Sequence, residues 1–272
     1  MPFTTPDRRK FLALSGAAAL GACTPALTEE EVQAATDLEQ FGFTPAEGYG
    51  LIEDGGYTLP PIPLSYLEYP NRRQLIFYDG TQPAGTIEID PHGKFLYWIL
   101  DDGTAWRYPI AVGRAGRSLR RPTTIRRKVE WPGWTPTANM LRTQPEVYGE
   151  FRGGVPGGLA SPLGARALYL YQGGRDTFYR IHGTNDLRSI GNSGSAGCIR
   201  LFNHDIIDLY ERVPNGTNVR IRSKSESERI LGPELSNRGI ELPATIVSPE
   251  TIYGAVEEQG VVETDPGAET DA

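Results

Sequence analysis

The feature that most constrains the fold is a series of short β-rich runs between residues 74 and 222, each closed off by glycine, aspartate or proline. They cover 75–78, 86–89, 95–100, 105–112, 124–129, 167–171 and 177–181, with 217–221 as a final strand. Runs of this length, rich in β-branched and aromatic residues, suit strands and are too short for buried helices. Asp90-Pro-His-Gly93 and Asp101-Asp-Gly103 supply the fixed proline φ and the glycine that tight hairpins use, so 86–112 reads as a three-stranded meander. Many strands at this spacing imply a mainly β sandwich or barrel rather than a βαβ sheet. One short helix interrupts the pattern near its end. Asn203 is placed to cap it and Asp205 lies in its first turn. Ile206, Leu209, Tyr210 and Val213 share one face, and Pro214-Asn-Gly216 ends it.

Between 130 and 165 strand periodicity disappears, and Trp131-Pro-Gly-Trp134, Pro156-Gly-Gly158 and Pro162-Leu-Gly164 take its place. Long aperiodic stretches inside a domain are usually lids or binding loops. Trp131 and Trp134 are expected either to roof a cleft or to pack this loop onto the sheet.

The flanks have other uses. Residues 1–23 read as a targeting segment: Asp7-Arg-Arg-Lys-Phe-Leu12 is a twin-arginine basic region, and the Ala-rich run 14–20 is too short to span a bilayer. Leu20-Gly-Ala-Cys23 resembles a bacterial lipobox, so Cys23 is either a lipidated first residue of the mature protein or part of an ordinary cleavage site. Both readings place the protein in the periplasm or at the cell surface, the first with membrane attachment through Cys23. Residues 24–71, with Pro60-Pro-Ile-Pro63, read as a spacer holding one short helix at 29–38, which wraps the domain or lifts it off a membrane. Residues 223–272 read as an acidic tail, disordered for much of its length. They carry eleven acidic and three basic side chains, so the net charge of -7 leaves +1 for residues 1–222. With no basic stripe, no aromatic-basic platform and no P-loop, neither nucleic acid nor nucleotide is expected as a ligand.

Cys198 is the only cysteine beyond residue 23. An oxidising compartment favours disulfides, yet Cys198 has no partner left, which makes it a candidate reactive thiol. A thiol is a nucleophile only as thiolate, and a partnered imidazole can generate that form. His182, in Tyr179-Arg-Ile-His-Gly-Thr-Asn185, is the candidate partner. Fifteen residues separate the two, so the fold must bring the strand end at His182 against the turn before Cys198. In Ser193-Gly-Ser-Ala-Gly-Cys198, Gly194 and Gly197 let backbone approach an acyl carbonyl, and the N–H groups of Gly197 and Cys198 are placed to form an oxyanion hole. His92, in a turn, and His204, at a helix start, are expected at the surface.

His182-Gly-Thr-Asn together with Ser195-x-Gly-Cys-Ile-Arg resembles the signature of the L,D-transpeptidase catalytic domain, YkuD type. The similarity runs over residues 72–222 and includes Arg107-Tyr-Pro-Ile-Ala-Val-Gly-Arg114, Glu130-Trp-Pro-Gly-Trp-Thr-Pro136 and Pro162-Leu-Gly-Ala-Arg-Ala-Leu-Tyr-Leu170. It implies a β-sandwich catalytic domain, a cysteine nucleophile, peptidoglycan stem peptides as substrate, and no metal or organic cofactor. Carried over by position, Cys198 would attack the L-centre carbonyl of diaminopimelate in a tetrapeptide donor, expel D-alanine and leave a thioester for an amine acceptor. His182 would act as base, with the Gly183 carbonyl orienting its ring. Ser195 and Gly197 would belong to the oxyanion and substrate-binding part. Arg200 would pair with a substrate carboxylate, or else form a surface ion pair. The commonest family pattern has histidine where this chain has Ala196; alanine moves no proton, which leaves the base to His182. Two alternatives keep part of this picture: a carboxypeptidase or amidase that uses water as acceptor, and a wall-binding module that has lost catalysis.

Overall fold

The computed structural model describes residues 47–113, 122–194, 198–249 and 251. The twin-arginine segment, Cys23, the short helix at 29–38, Ser195, Gly197 and residues 252–272 lie outside the described residues. The segment read as a spacer is ordered where it is described. Gly55 and Gly56, at φ 60° and 82°, turn the chain between antiparallel β1 (Ile52–Asp54) and β2 (Tyr57–Leu59). Positive φ at both central residues matches the twist of a two-residue hairpin. Tyr49, Ile62 and Leu67 are buried with Ala111, Leu187, Ile190 and Phe202, so this segment wraps the domain rather than leaving it.

Strand β3 (Gln74–Phe77) leads to β4 (Thr86–Asp90), β5 (Phe95–Ile99) and β6 (Thr104–Pro109), and the last three form the expected antiparallel meander. Its turns work as their residues dictate. Asp90 Oδ1 accepts from the His92 and Gly93 amides at 2.9 and 2.8 Å, and Asp102 Oδ1 accepts from the Thr104 amide at 3.0 Å beside Gly103 at φ 78°. Next come β7 (Ala111–Val112), β8 (Thr123–Glu130), β9 (Arg166–Gln172), β10 (Arg175–His182), β11 (Ser193–Gly194), β12 (Ile199–Arg200), β13 (Asn218–Ile221) and β14 (Glu241–Leu242).

Twelve of these join one mixed sheet, in the order β14-β11-β7-β12-β10-β9-β8-β13-β4-β5-β6-β3. Only Ile110 separates β6 from β7 in the chain, yet they stand near opposite ends of that order. The sheet therefore folds back on itself, and its two halves enclose Ile87, Leu96 and Tyr108 together with Val112, Leu168, Ile181 and Ile199. This is the mainly β, two-layered arrangement the strand spacing implied.

Four α-helices and three short 3-10 helices complete the described residues. Helices α1 (Ala138–Thr143) and α2 (Pro145–Tyr148) lie in the stretch read as an aperiodic loop; Thr137 caps α1 by accepting from the Met140 amide, and Pro145 opens α2. Helix α3 (Asn203–Arg212) buries Ile206 and Leu209 in the core, as its pattern predicts. Its capping differs from expectation. Phe202 holds the N-cap position without a side-chain bond, because the Asn203 amide is engaged elsewhere. His204 is buried rather than at the surface, its Nε2 2.6 Å from the Gly50 carbonyl, and Asp205 pairs with Arg73 at 3.3 Å. Both contacts hold the N-terminal wrap, which the sequence reading did not associate with this helix. His92 is half-buried.

The expected disordered tail is ordered as far as 249. Ser223 and Glu226 form a capping box that starts α4 (Lys224–Leu235), which breaks at Gly232-Pro233, and β14 follows. Arg222, just before it, is fully buried between Glu88, on which its guanidinium closes, and Asp90 at 3.2 Å.

Candidate active site

The meeting of His182 with Cys198 follows from strand register. Strand β12 runs parallel to β10, with Ile181 opposite Ile199 and His182 opposite Arg200. Residues two apart share a face of a strand, so Ile181 and Ile199 enter the core while His182, Arg200 and Cys198 lie on the other side. Cys198, one position ahead of β12, is thus a diagonal neighbour of His182 across a single pair of strands. Both line one open cleft with Arg200, Asp186 and Leu163.

The imidazole is held by its own chain. His182 Nδ1 lies 2.6 Å from the Gly183 carbonyl oxygen. A carbonyl only accepts, so Nδ1 carries the proton and Nε2 keeps its lone pair for a substrate or a thiol. A buried amide network packs against Gly183, whose Cβ position would lie 2.2 Å from Asn203 Oδ1. Asn203 Oδ1 accepts from the Ala165 amide at 3.0 Å, Asn203 Nδ2 donates to Asn185 Oδ1 at 3.3 Å, and Asn185 Nδ2 donates to the Leu159 carbonyl at 2.5 Å. A Cβ on Gly164 would lie 2.1 Å from Asn203 Oδ1 and 2.7 Å from the Gly183 carbonyl carbon. Gly164, at φ 64°, is required by that approach.

Arg200 Nη1 stands 3.4 Å from Asp186 Oδ2, both side chains mostly buried, so Arg200 reaches the cleft already associated with a carboxylate. Arg180, on the same face, is paired to Asp176 at 2.7 and 2.8 Å and stacked over Tyr169. The two tryptophans divide the roles foreseen for them. Trp134 lines the cleft, its ring 6.1 Å from that of Tyr148, whereas Trp131 donates to Asp54 at 2.7 Å and packs the loop against the ring of Tyr57.

Burial sets the electrostatics. It pushes the His182 imidazole down to about 3, with the Arg200 charge adding to the effect, and it pushes the Cys198 thiol up, although Arg180 and Arg200 pull the other way. At neutral pH the resting pair is therefore thiol and neutral imidazole, not a preformed ion pair. Such a pair acts by moving the thiol proton to Nε2 as sulfur attacks.

The model of the YkuD L,D-transpeptidase catalytic domain matches residues 84–221, 138 of the 272 residues. The chain belongs to this family. Among curated relatives, "Probable L,D-transpeptidase ErfK/SrfK" of Escherichia coli (strain K12) is 38% identical over 162 residues, which are 59% of this chain and 50% of that protein. "Probable L,D-transpeptidase YcfS" of the same organism is 42% identical over 132 residues, 47% of this chain and 40% of that protein. The chain spans about half the length of the first of these and less of the second. A crystal structure described as a probable carnitine operon oxidoreductase CaiA from Brucella melitensis is 47% identical, covering 56% of this chain and 95% of that one, with a TM-score of 0.39.

The L,D-transpeptidase domain thus contains His182, Gly183, Cys198 and Arg200, while parts of the cleft come from beyond it. Thr245, Ile246 and Val247 line the same cleft from the C-terminal side of the matched region. Sequence reasoning missed these three because a polar, acidic stretch resembles a disordered tail. It also missed Asn203, read as a helix cap, and Asp186, which carries no motif of its own. Gly194 stands at a close backbone approach. A Cβ there would lie 2.5 Å from the Leu242 carbonyl oxygen, so the glycine at φ 149° admits the backbone of β14. Among the described residues no group of three or more His, Cys, Asp or Glu is arranged to hold a metal ion.

Proposed function

We propose that the protein is a cysteine-dependent L,D-transpeptidase acting on peptidoglycan stem peptides, exported by the twin-arginine route with Cys23 as the lipidated anchor. The observation that carries the enzymatic reading is the placement of Cys198 and His182 on one strand face at one cleft, with Nδ1 tied to the Gly183 carbonyl.

Sulfur of Cys198 adds to the donor carbonyl as its proton passes to Nε2 of His182. The tetrahedral centre collapses with cleavage of the C–N bond, and the imidazolium returns the proton to the departing D-alanine amine, leaving a thioester. An acceptor amine then loses a proton to Nε2 and attacks the thioester. The C–N bond forms, the C–S bond breaks, and the thiol is regenerated. Gly183 keeps Nε2 unprotonated for each cycle. Arg200, shared with Asp186, offers a guanidinium fork to a donor carboxylate. Ser195 and Gly197 are assigned to the oxyanion side by the family motif.

Product analysis decides between acceptors. Incubation with a disaccharide tetrapeptide and a diaminopimelate-containing acceptor yields cross-linked dimer on this reading; tripeptide without dimer supports hydrolysis. Normal turnover by His182→Ala would overturn the choice of base. Metabolic labelling with a radiolabelled fatty acid tests Cys23: label retained in Cys23→Ser contradicts lipidation there.

A further inference from the structure

The family-matched domain ends at residue 221, yet the chain returns to its cleft twenty-four residues later. That return is anchored at both ends. Upstream, β14 lies parallel on β11 with Ser193 opposite Glu241 and Gly194 opposite Leu242, and the Ile240 amide donates to Asn192 Oδ1 at 2.9 Å. Strand β11 ends four residues before Cys198 in the sequence. Pro243, lacking an N–H, ends the ladder, and Pro249, downstream, is buried. Among the described residues, 244–247 make no backbone–backbone hydrogen bond, and Ser248 accepts one from the Thr251 amide at 3.2 Å. Residues 244–247 are half-buried, so side-chain contact alone seats the middle of this strap.

The strap is a wall and not a plug. Cys198 remains partly exposed although Thr245, Ile246 and Val247 line the same cleft. Two aliphatic side chains lining the cleft that holds a nucleophilic thiol serve two ends. They offer apolar surface to whatever is esterified to the sulfur, and they keep water from it.

We propose that Thr245, Ile246 and Val247 are specificity-determining residues of this site, forming the wall against which the acylated stem peptide packs and thereby favouring an amine acceptor over water. The second half of the proposal rests on the transpeptidase reading above; the first half does not. When the wall is absent, water adds to the thioester carbonyl, the C–S bond breaks, and the products are a free carboxylic acid and the Cys198 thiol.

The test uses the full chain with Thr245, Ile246 and Val247 all replaced by glycine, which keeps the β14 pairing and the buried Pro249. Iodoacetamide labelling of Cys198, followed by peptide mapping, is expected to accelerate on the order of tenfold, the factor produced by about 1.4 kcal/mol of lost occlusion. With a tetrapeptide donor, Ile246→Ala is expected to raise KM about fivefold, as loss of one or two buried methylene equivalents implies, and to increase the ratio of tripeptide to dimer. Ile246→Val should recover most of the parental ratio. Labelling within twofold of the parent, with the melting temperature retained, overturns the wall. Accelerated labelling with an unchanged tripeptide-to-dimer ratio overturns its role in acceptor choice. If the parent forms no acyl adduct at all, the transpeptidase reading fails, and labelling still decides whether the strap covers the thiol. If the triple variant does not fold, the Ile246→Ala labelling rate decides that same point.

Discussion

Asn203 packs against Gly183, whose carbonyl holds the His182 imidazole, and Asn203→Ala is therefore an informative perturbation. Its side chain is buried and makes two hydrogen bonds, accepting from the Ala165 amide at 3.0 Å and donating to Asn185 Oδ1 at 3.3 Å. Alanine orphans both partners where water has little access, and each buried unsatisfied group costs about 1–3 kcal/mol. The expected loss is about 2–6 kcal/mol, a large part of the ~5–15 kcal/mol that holds a typical domain together. Function should fall further than stability requires. Asn203 Oδ1 fills the space where Cβ atoms of Gly164 and Gly183 would sit, at 2.1 and 2.2 Å, so its removal frees the Gly183 carbonyl to rotate away from Nδ1. Misplacing a catalytic group by about 1 Å can cost on the order of a hundredfold in rate. The assay is urea denaturation of the variant, paired with the single-turnover rate of Cys198 acylation below its unfolding midpoint. A folded Asn203→Ala protein that loses less than about 0.5 kcal/mol and acylates at the parental rate would refute the reasoning.

Three further outcomes follow from the same geometry. Iodoacetamide captures thiolate, so the rate of Cys198 labelling should keep rising with pH beyond the ordinary thiol value of about 8.5, because burial raises this thiol; a plateau reached by pH 7 would mean a preformed ion pair. Because the imidazole is held down to about 3, acylation should not lose its base as pH falls through the usual histidine range near 6.5, and a sharp acid limb at about 6.5 would contradict that placement. Arg222→Leu leaves Asp90 buried without its cation and Glu88 with Arg220 alone, and should destabilise by about 3–5 kcal/mol in urea titrations, far more than the removal of an exposed arginine such as Arg175.

Much of the fold was legible because its determinants are local. Alternation and turn chemistry locate the meander, and Asp90, Asp102 and Gly103 act in the turns as their side chains require. The pairing order was not legible: nothing near 110 announces that the chain leaves one end of the sheet for the other, or that β13 inserts beside β4. At the site, His182 and Cys198 stood out by residue type and motif, and His182 Nδ1 lies 2.6 Å from the Gly183 carbonyl. Asn203 and His204 were misjudged for one reason. Helix-start rules describe local bonding, whereas both side chains are committed to distant segments, at Ala165 and Gly50. Thr245, Ile246 and Val247 were lost in an acidic stretch whose order comes from a two-residue strand on β11 and a capping box, signals too short to outweigh composition.

The central claim is a thioester on Cys198, and intact-mass measurement tests it most directly. Purified protein, mixed with a tetrapeptide donor and quenched in acid within the first turnover, should gain the mass of the donor less D-alanine, and proteolytic mapping should place that mass on Cys198. The Cys198→Ala protein should gain nothing. An adduct that persists in Cys198→Ala, or a parental protein that turns over donor with Cys198 fully alkylated, would contradict the account.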